Sequence, residues 1–517
     1  MLDRMRSILK SHKSALLYCG ASTIGALVYG YDNTYYNGVL AMQQFKNDYG
    51  TERDANGNLA LSPSFQSATA SCIYIGDLLG AILAAPVNDR WGRKASLLLA
   101  SLCIVCGGIV QVADTHFEAV IIVGRILIGL GVGQFTVTSL LYIGEIAPTE
   151  IRGPAIMSYQ FLQSWSQLIA SALTQGTEGL NSSLSYKLPM GGLIVLPLLM
   201  FVALPFMPES PVWYMAKDRV SDAESVLRRL HRGDPTYDPA TDLATLASVQ
   251  RVSVANKMES TWGALLFDPI ERTKVIWSAG AMYSQQICGI LFFYVYGVVF
   301  VQSIGIDQPF LVQLIQNILQ ICAVTVSMAT ANQVARRTNL LVTTSMMFLA
   351  FIVIGSIGTQ HSLSTAEKWV IVVVSFVIVC VINYGLSTVA YTVAREMAVG
   401  PNQNKIMSIS IVTFYFGGWL VTFTAPYLYY NAGLGPMVAF VYAGTTLTSL
   451  TWIWFCVGET TGRTNWEIAK LFEKRVPARK WSSYTIQGGQ EDIFSSPKEL
   501  PVSLSHLEVV PRSSSSV

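Results

Sequence analysis

The sequence predicts an all-α membrane protein: twelve transmembrane helices in two six-helix bundles. Three observations point there. Hydrophobic residues make up 51% of the 517 and charged residues only 13%, with a mean hydropathy of +0.43, far from the balance of a soluble chain. Twelve apolar runs are each long enough to cross roughly 30 Å of hydrocarbon, which takes about 20 residues of helix. Loop signatures of the first half also return in the second. Asp89-Arg90-Trp91-Gly92-Arg93-Lys94, after the second run, has a worn counterpart in Asn332-Gln333-Val334-Ala335-Arg336-Arg337 after the eighth. Glu145 after the fourth run matches Glu396 after the tenth, 251 positions on, and Glu209 after the sixth matches Glu459 after the twelfth, 250 positions on. A six-span unit duplicated head to tail is the arrangement in which two bundles rock about a site at the bilayer midplane.

In chain order, residues 1–14 form an N-terminal segment carrying Arg4, Arg6, Lys10 and Lys13. The first bundle, 15–207, holds runs at 15–36, 66–86, 95–113, 119–143, 155–176 and 190–207. The second, 275–456, holds runs at 275–301, 309–331, 340–359, 368–393, 406–429 and 435–456. Lipid cannot hydrogen-bond a free backbone group, so each run is expected to be a helix. The first is too long for a cleavable signal and lacks a small-residue cleavage site, so it is expected to stay as a span. Between the bundles, 208–274 reads as a soluble loop with short helices. There Ser221-Asp222-Ala223-Glu224 has the pattern of a capping box, and Val226, Leu227 and Leu230 form an apolar stripe. The tail, 457–517, ends in Pro511-Arg512-Ser513-Ser514-Ser515-Ser516, a composition expected to be disordered.

Basic residues set the orientation. Beside those of the N-terminus, Arg90, Arg93 and Lys94 follow the second run, and nine more lie between Lys217 and Lys274; the other side carries only Lys46, Arg53, Lys187 and Lys368. The positive-inside rule places both termini and the central loop in the cytoplasm. A net charge of +2 gives no reason to expect a nucleic-acid partner. All eight cysteines fall inside the runs, so a disulfide framework is not expected, and Cys103-Ile104-Val105-Cys106 reads as helix packing rather than a metal or redox pair. Asn181-Ser182-Ser183 is a glycosylation sequon on an outside loop. No metal cluster, nucleophilic triad or phosphate-binding loop is present, which argues against an enzyme, a cofactor and ATP-driven transport.

Ionisable residues inside the runs are costly and so call for a partner or a polar path. Asp32 stands in the first run and Arg125 near the start of the fourth. Paired, they either order the bundle as a static ion pair or form a switch that loosens when the carboxylate takes a proton. Asp77, in the second run, reads equally as a further protonation site, a ligand group or a satisfied structural acid. Gln160 and Gln167 share a helix face in the fifth run, Gln285 and Gln286 stand in the seventh, and Gln313, Gln316, Asn317 and Gln320 line the eighth. Amides both donate and accept, which suits a neutral, hydroxyl-rich solute, although some of those in the eighth run are expected to bind helix to helix. Gly129, Gly131 and Gly133 are expected to let helices approach closely.

These strings together resemble the sugar porter family of the major facilitator superfamily over about 20–475. The carriers are GYD at 30–32, NDRWGRK at 88–94, GRILIGLGVGQ at 124–134, YIGEIAPTEIRG at 142–153, PESPVWY at 208–214, QQICG at 285–289 and GETTGR at 458–463. Asp77, AYTVAREM at 390–397 and VPARKW at 476–481 are similar to fungal hexose and α-glucoside (maltose-type) permeases. The resemblance implies the major facilitator fold and residence in the plasma membrane. It implies that Gln160, Gln167, Gln285 and Gln286 bind sugar hydroxyls; from the residues themselves, Asn317 of the eighth span and the flat faces of Tyr391 and Tyr415 are expected to complete the pocket. It further implies proton coupling through Asp32, Arg125 and Asp77. A cytoplasmic gate would join Asp89, Arg93, Glu145, Arg152, Glu209, Glu396 and Glu459, forming when that side closes and breaking when it opens. The partners implied are a small neutral sugar, a proton and the lipid bilayer.

The chain departs from the pattern at Leu291, where an asparagine is usual, at Tyr391 and Phe414-Tyr415, where tryptophans are usual, and at Val212, where an arginine is usual. The pocket is thus poorer by one amide and richer in aromatic faces. Three functions compete. A sugar importer fits best, with proton-coupled and facilitative forms both open. A drug–proton antiporter would carry a proline-containing glycine motif in the fifth run, and 155–176 has no proline. A sugar sensor usually has a long tail, whereas 60 residues follow position 457.

Overall fold

The computed structural model describes residues 13–53, 57–113, 116–232, 237–259, 261–330, 333–360 and 363–484, with only the backbone for 149–154, 156–157, 249 and 252–259. The expectations for residues 1–12 and 511–516, and for the side chain of Arg152, lie outside these residues. Helices stand at all twelve apolar runs. The first span is Lys13–Ser22 continued by Ile24–Ala41, interrupted at Thr23, whose hydroxyl donates to the Gly20 carbonyl at 2.6 Å. Then come Pro63–Trp91, Arg93–Val112, Glu118–Ile146, Thr149–Thr177 and Leu184–Ala203 as spans two to six. The seventh is Pro269–Ile287 continued by Ile290–Ser303, the eighth Pro309–Thr330, the ninth Arg336–Gly358, and the tenth Thr365–Tyr384 continued by Leu386–Met397. Gln403–Pro426 and Val438–Cys456 complete the set.

Ten of these units are long and apolar enough to cross a membrane by length and composition. The exceptions are the first and fifth spans. Polar side chains dilute both: Asp32, Asn33 and Asn37 in one, and Gln160, Gln163, Gln167 and several serines in the other. Helices that line a polar interior can forgo hydrophobicity on that face, because it never meets lipid.

Within the first half the fourth span packs on the second and third, and the first on the fifth. A methyl group added at Gly129 would fall 2.9 Å from the Asp77 amide nitrogen, and one at Gly133 2.8 Å from the Asp77 carbonyl carbon, so these glycines set the close approach of spans two and four. In the second half the seventh span packs on the eleventh and the ninth on the twelfth. Between halves the contacts are second to eleventh, fifth to eighth and first to seventh. The duplication equates span two with eight and five with eleven, so the first two contacts are a single contact made twice.

The central loop is fastened at each end to a different half. Helix Val220–Leu230 buries Val226, Leu227 and Leu230, and Arg229 donates to the Tyr18 hydroxyl at 2.8 Å and the Phe206 carbonyl at 2.7 Å. Helix Trp262–Phe267 instead packs Leu265 with Ala398 and Ile406. The capping box expected at Ser221 does not form. The helix starts two residues earlier, with Arg219 at its N-cap and no side-chain cap, and Asp222 and Glu224 pair with Arg219 and Arg228. Four features were not foreseen: a helix at Gln43–Tyr49, a two-stranded ribbon, Glu52–Arg53 with Leu59–Ala60, and in the tail a helix at Asn465–Glu473 and a short helical turn at Ala478–Ser483.

Candidate functional site

Two helix breaks in the second half shape the centre of the molecule. In the seventh span Gly289 takes φ 77°, a conformation open to glycine, three residues after Gln286, and the Thr445 hydroxyl satisfies the freed Ile287 carbonyl at 2.6 Å. In the tenth span the helix breaks at Gly385, and Ser327 and Thr388 donate to the Tyr384 carbonyl at 2.8 and 3.1 Å. Broken helices of this kind survive inside a membrane protein only where they line an interior space.

That space is a cavity of about 580 Å³ between the halves. Gln160, Gln163 and Gln167 of the fifth span and Gln285 and Gln286 of the seventh line it, facing Tyr391, Phe414 and Tyr415. Tyr29 and Asn33 add to the first half's wall; Gln320 and Asn383 add to the second's. It runs toward Arg336, Arg395, Gln403 and Asn404, at the end of the molecule that carries the repeated charged motifs. The Gln285 and Gln320 side-chain oxygens are buried with no hydrogen-bond partner among the described residues, so both amides have capacity for a polyhydroxylated guest.

At the opposite end the halves are tied together. Asn37 donates to the Gln313 side-chain oxygen at 3.2 Å and accepts from the Val298 amide at 3.0 Å. Ser67 donates to the Phe423 carbonyl at 2.6 Å, Tyr296 to the Gln66 carbonyl at 3.4 Å, and Lys46 to Gln302 at 2.8 Å. The structure is thus closed at this end and open at the motif end.

Asn317, expected at the substrate, is not among the lining residues. It is buried in the seam between spans five and eight, donating to the Gln167 carbonyl at 3.3 Å and accepting from Gln313 at 3.4 Å. Helical spacing put it on a polar face but could not say which stretch of that face meets the other half.

Asp32 and Arg125 meet inside the first half. Nη1 of Arg125 donates to Asp32 Oδ1 at 3.0 Å and to the Tyr35 hydroxyl at 3.2 Å, Nε donates to the Thr69 carbonyl at 3.2 Å, and the guanidinium lies 4.2 Å from the Tyr36 ring centre. Neither residue lines the cavity. Asp77 is also buried off the cavity, with one carboxylate oxygen unpartnered among the described residues.

The charged motifs form two equivalent clusters, one in each half. Arg93 holds Glu145 with two hydrogen bonds, 2.6 and 2.8 Å, while Glu209 accepts from the amides of Arg93 and Lys94 at 2.9 and 3.1 Å. In the second half Arg336 pairs with Glu396, and Glu459 accepts from the amides of Arg336 and Arg337 at 3.0 and 3.1 Å. Each glutamate of the 209/459 pair thus caps the start of a span, where free amides and the helix dipole favour an anion. These pairs stand intact while the cavity is open at their end, and each lies within one half. The expected gate that breaks on opening is corrected on both counts: a bond internal to one bundle does not lock it to the other. Asp89 is exposed and contributes its backbone carbonyl, which accepts from Trp213 at 3.2 Å. Asn181 is exposed on the loop before the sixth span.

The family model described as "Sugar (and other) transporter" matches residues 18–472. The chain belongs to this family, the sugar porters of the major facilitator superfamily. Among curated relatives, the high glucose sensor of Saccharomyces cerevisiae is 27% identical over 497 residues, 92% of this chain, which spans only 63% of that protein's length. The low-affinity glucose transporter of Kluyveromyces lactis is 26% identical over 92% of this chain and 86% of its own. In fold the chain is similar to the partially occluded, inward-open xylose transporter of E. coli, with a TM-score of 0.71, 20% identity, and coverage of 87% of this chain and all of that one. Sugar porters are transporters rather than enzymes, and this chain is a multi-pass membrane protein.

Gln163, Asn33 and Asn383 were missed as lining residues. For Gln163 the signal was present, since 160, 163 and 167 repeat at helical spacing. For Asn383, next to the Gly385 break, it was not.

Proposed function

We propose that this sugar porter imports a hexose or an α-linked disaccharide across the plasma membrane by alternating access, with the motif end and both termini cytoplasmic. The observation that carries the reading is the cavity: seven glutamines and six aromatic residues line it between the halves, and it is reached from one end and sealed at the other. Amides serve hydroxyls as donors and acceptors, and rings stack on the C–H face of a pyranose. The basic residues of the loops favour the motif end as cytoplasmic, which makes the present state inward-facing.

Proton coupling goes through Asp32 and Arg125. Protonating Asp32 removes the charge that Arg125 holds, freeing the first span to move against the fourth. Uptake of labelled hexoses and disaccharides in cells lacking hexose transport, with and without an uncoupler, tests both statements. Accumulation that collapses with uncoupler, and is lost in Asp32→Asn, supports symport; uptake indifferent to pH and uncoupler leaves a facilitator. The likeness to a glucose sensor favours one second reading, a receptor that binds sugar without moving it. Binding without uptake would select it.

A further inference from the structure

Arg395 is the one lining residue whose charge nothing described neutralises. It stands on the second helix of the tenth span, where Thr388, Tyr391, Thr392 and Arg395 recur at three- and four-residue spacing and all face the cavity. The other arginine of the lining, Arg336, is already paired with Glu396. No aspartate or glutamate lines the cavity among the described residues, since Asp32 and Asp77 are buried behind its wall. The cavity therefore carries one positive charge that is solvent-exposed and has no acidic partner among the described residues. An arginine in the last turn of a helix is favoured by the helix dipole, which accounts for a cation at this position. It does not account for the acid-free cavity in front of it.

Tyr391, 36% exposed, precedes Arg395 by one turn, about 6 Å along the helix axis. A pyranose resting on the Tyr391 ring would bring a substituent at its edge to the guanidinium. From this geometry we infer that the cavity takes a sugar bearing one carboxylate. The ring lies over Tyr391, the hydroxyls meet the glutamines of spans five and seven, and the carboxylate meets Arg395. The planar fork of a guanidinium binds a carboxylate through two parallel hydrogen bonds, which a hydroxyl cannot reproduce. A carboxyl group with an ordinary pKa of about 3.5 is ionised at neutral pH, so the charge is always present. The inference rests on the sugar reading and narrows its substrate class.

Thermal unfolding of the purified full chain in detergent, titrated with D-glucuronate, D-glucose and acetate, tests it. In the wild type D-glucuronate should half-saturate at a concentration at least about ten-fold below D-glucose, a difference of about 1.4 kcal/mol. Arg395→Gln should bring that ratio to about one. Arg395→Lys, which keeps the charge but not the fork, should retain part of it and guards against a variant that merely fails to fold. Acetate should do nothing, because it has no ring for Tyr391 or the glutamines. A ratio unchanged in Arg395→Gln, or acetate as effective as D-glucuronate, overturns the inference. A wild type that responds to D-glucose alone also overturns it and leaves the sugar reading standing. No response to either sugar also overturns it, and the sugar reading is then decided by the uptake of hexoses and disaccharides.

Discussion

The two halves share one architecture but distribute charge differently. At the offset that relates Glu145 to Glu396, Arg125 of the first half corresponds to Phe376 of the second, and Gly144 to Arg395. At the offset that relates Arg93 to Arg336, Asp77 corresponds to Gln320. The first half therefore buries ionisable groups at these mid-span positions, while their counterparts in the second half are neutral; the second half's own buried pair, Glu271 with Lys274, stands at the start of the seventh span, and Arg395 is presented to the cavity. Helix continuity differs as well: the fourth span runs unbroken over 29 residues, whereas its counterpart, the tenth, breaks at Gly385. Duplication preserved the packing and freed the interiors to diverge. On the proposed function, one half would respond to protons and the other would shape itself around a ligand.

The comparison breaks most visibly at Arg125. Arg125→Met leaves the Asp32 carboxylate buried and unpaired, and removing one partner of a buried pair costs about 3–5 kcal/mol. A large fall in melting temperature and loss of uptake are expected. Adding Asp32→Asn should restore much of the stability without restoring accumulation. Asn383→Leu, which removes the second half's hydrogen bond to the Tyr294 hydroxyl at 2.6 Å, should cost clearly less. Equal losses in Arg125→Met and Asn383→Leu would erase the distinction between an ionic and a neutral interior.

Next in size is the backbone. Gly289→Ala would place a methyl group 2.5 Å from the Tyr442 ring at a positive φ, where an L-residue pays about 1–2 kcal/mol before any overlap. A lowered melting temperature and slower exchange of sugar are expected. Gly191→Ala in the sixth span meets nothing within 4 Å and should change either measure little. Unaltered exchange in Gly289→Ala would mean that the seventh-span break is not a working part.

A smaller effect is expected at the shared site. Gln160→Ala and Gln286→Ala each remove about one hydrogen bond to ligand, worth roughly 1 kcal/mol or several-fold in affinity. Binding titrations should show similar losses for both, since the ligand spans the halves. A loss confined to one would assign the sugar to a single half.

The smallest effects belong to the matched caps. Glu209→Gln and Glu459→Gln weaken an interaction with a helix N-terminus worth roughly 0.3–1 kcal/mol, so both should lower the melting temperature slightly and alike. Abolished transport at normal stability in either would reinstate a gating role for the motif charges.

Much of this molecule was legible in its residues. Apolar length dictates spans because lipid leaves the backbone no other way to satisfy its hydrogen bonds. Repeated glutamates at a fixed offset revealed the duplication, and the geometry supplies the reason: each caps an equivalent helix. Gln160 and Gln167 were readable as one face from their spacing, and Asp32 called for a cation that only Arg125 could supply at that depth. Spacing alone could not say what a face looks at. Asn317 and Gln320 share a polar stripe and both reach across the seam to the fifth span, yet only Gln320 also lines the cavity, because the halves touch along only part of the eighth span. Arg395 belongs to a string that reads as a charged loop end, and packing turns it into the cavity beyond the break at Gly385. Whether the motif charges lock the halves together or only their own helices depends on which bundle each partner belongs to. Sequence by itself settles helix number, burial and pairing within a half, since local hydrogen bonding and lipid settle them. The interface between halves is a matter of tertiary structure, because it arises from surfaces far apart in the chain.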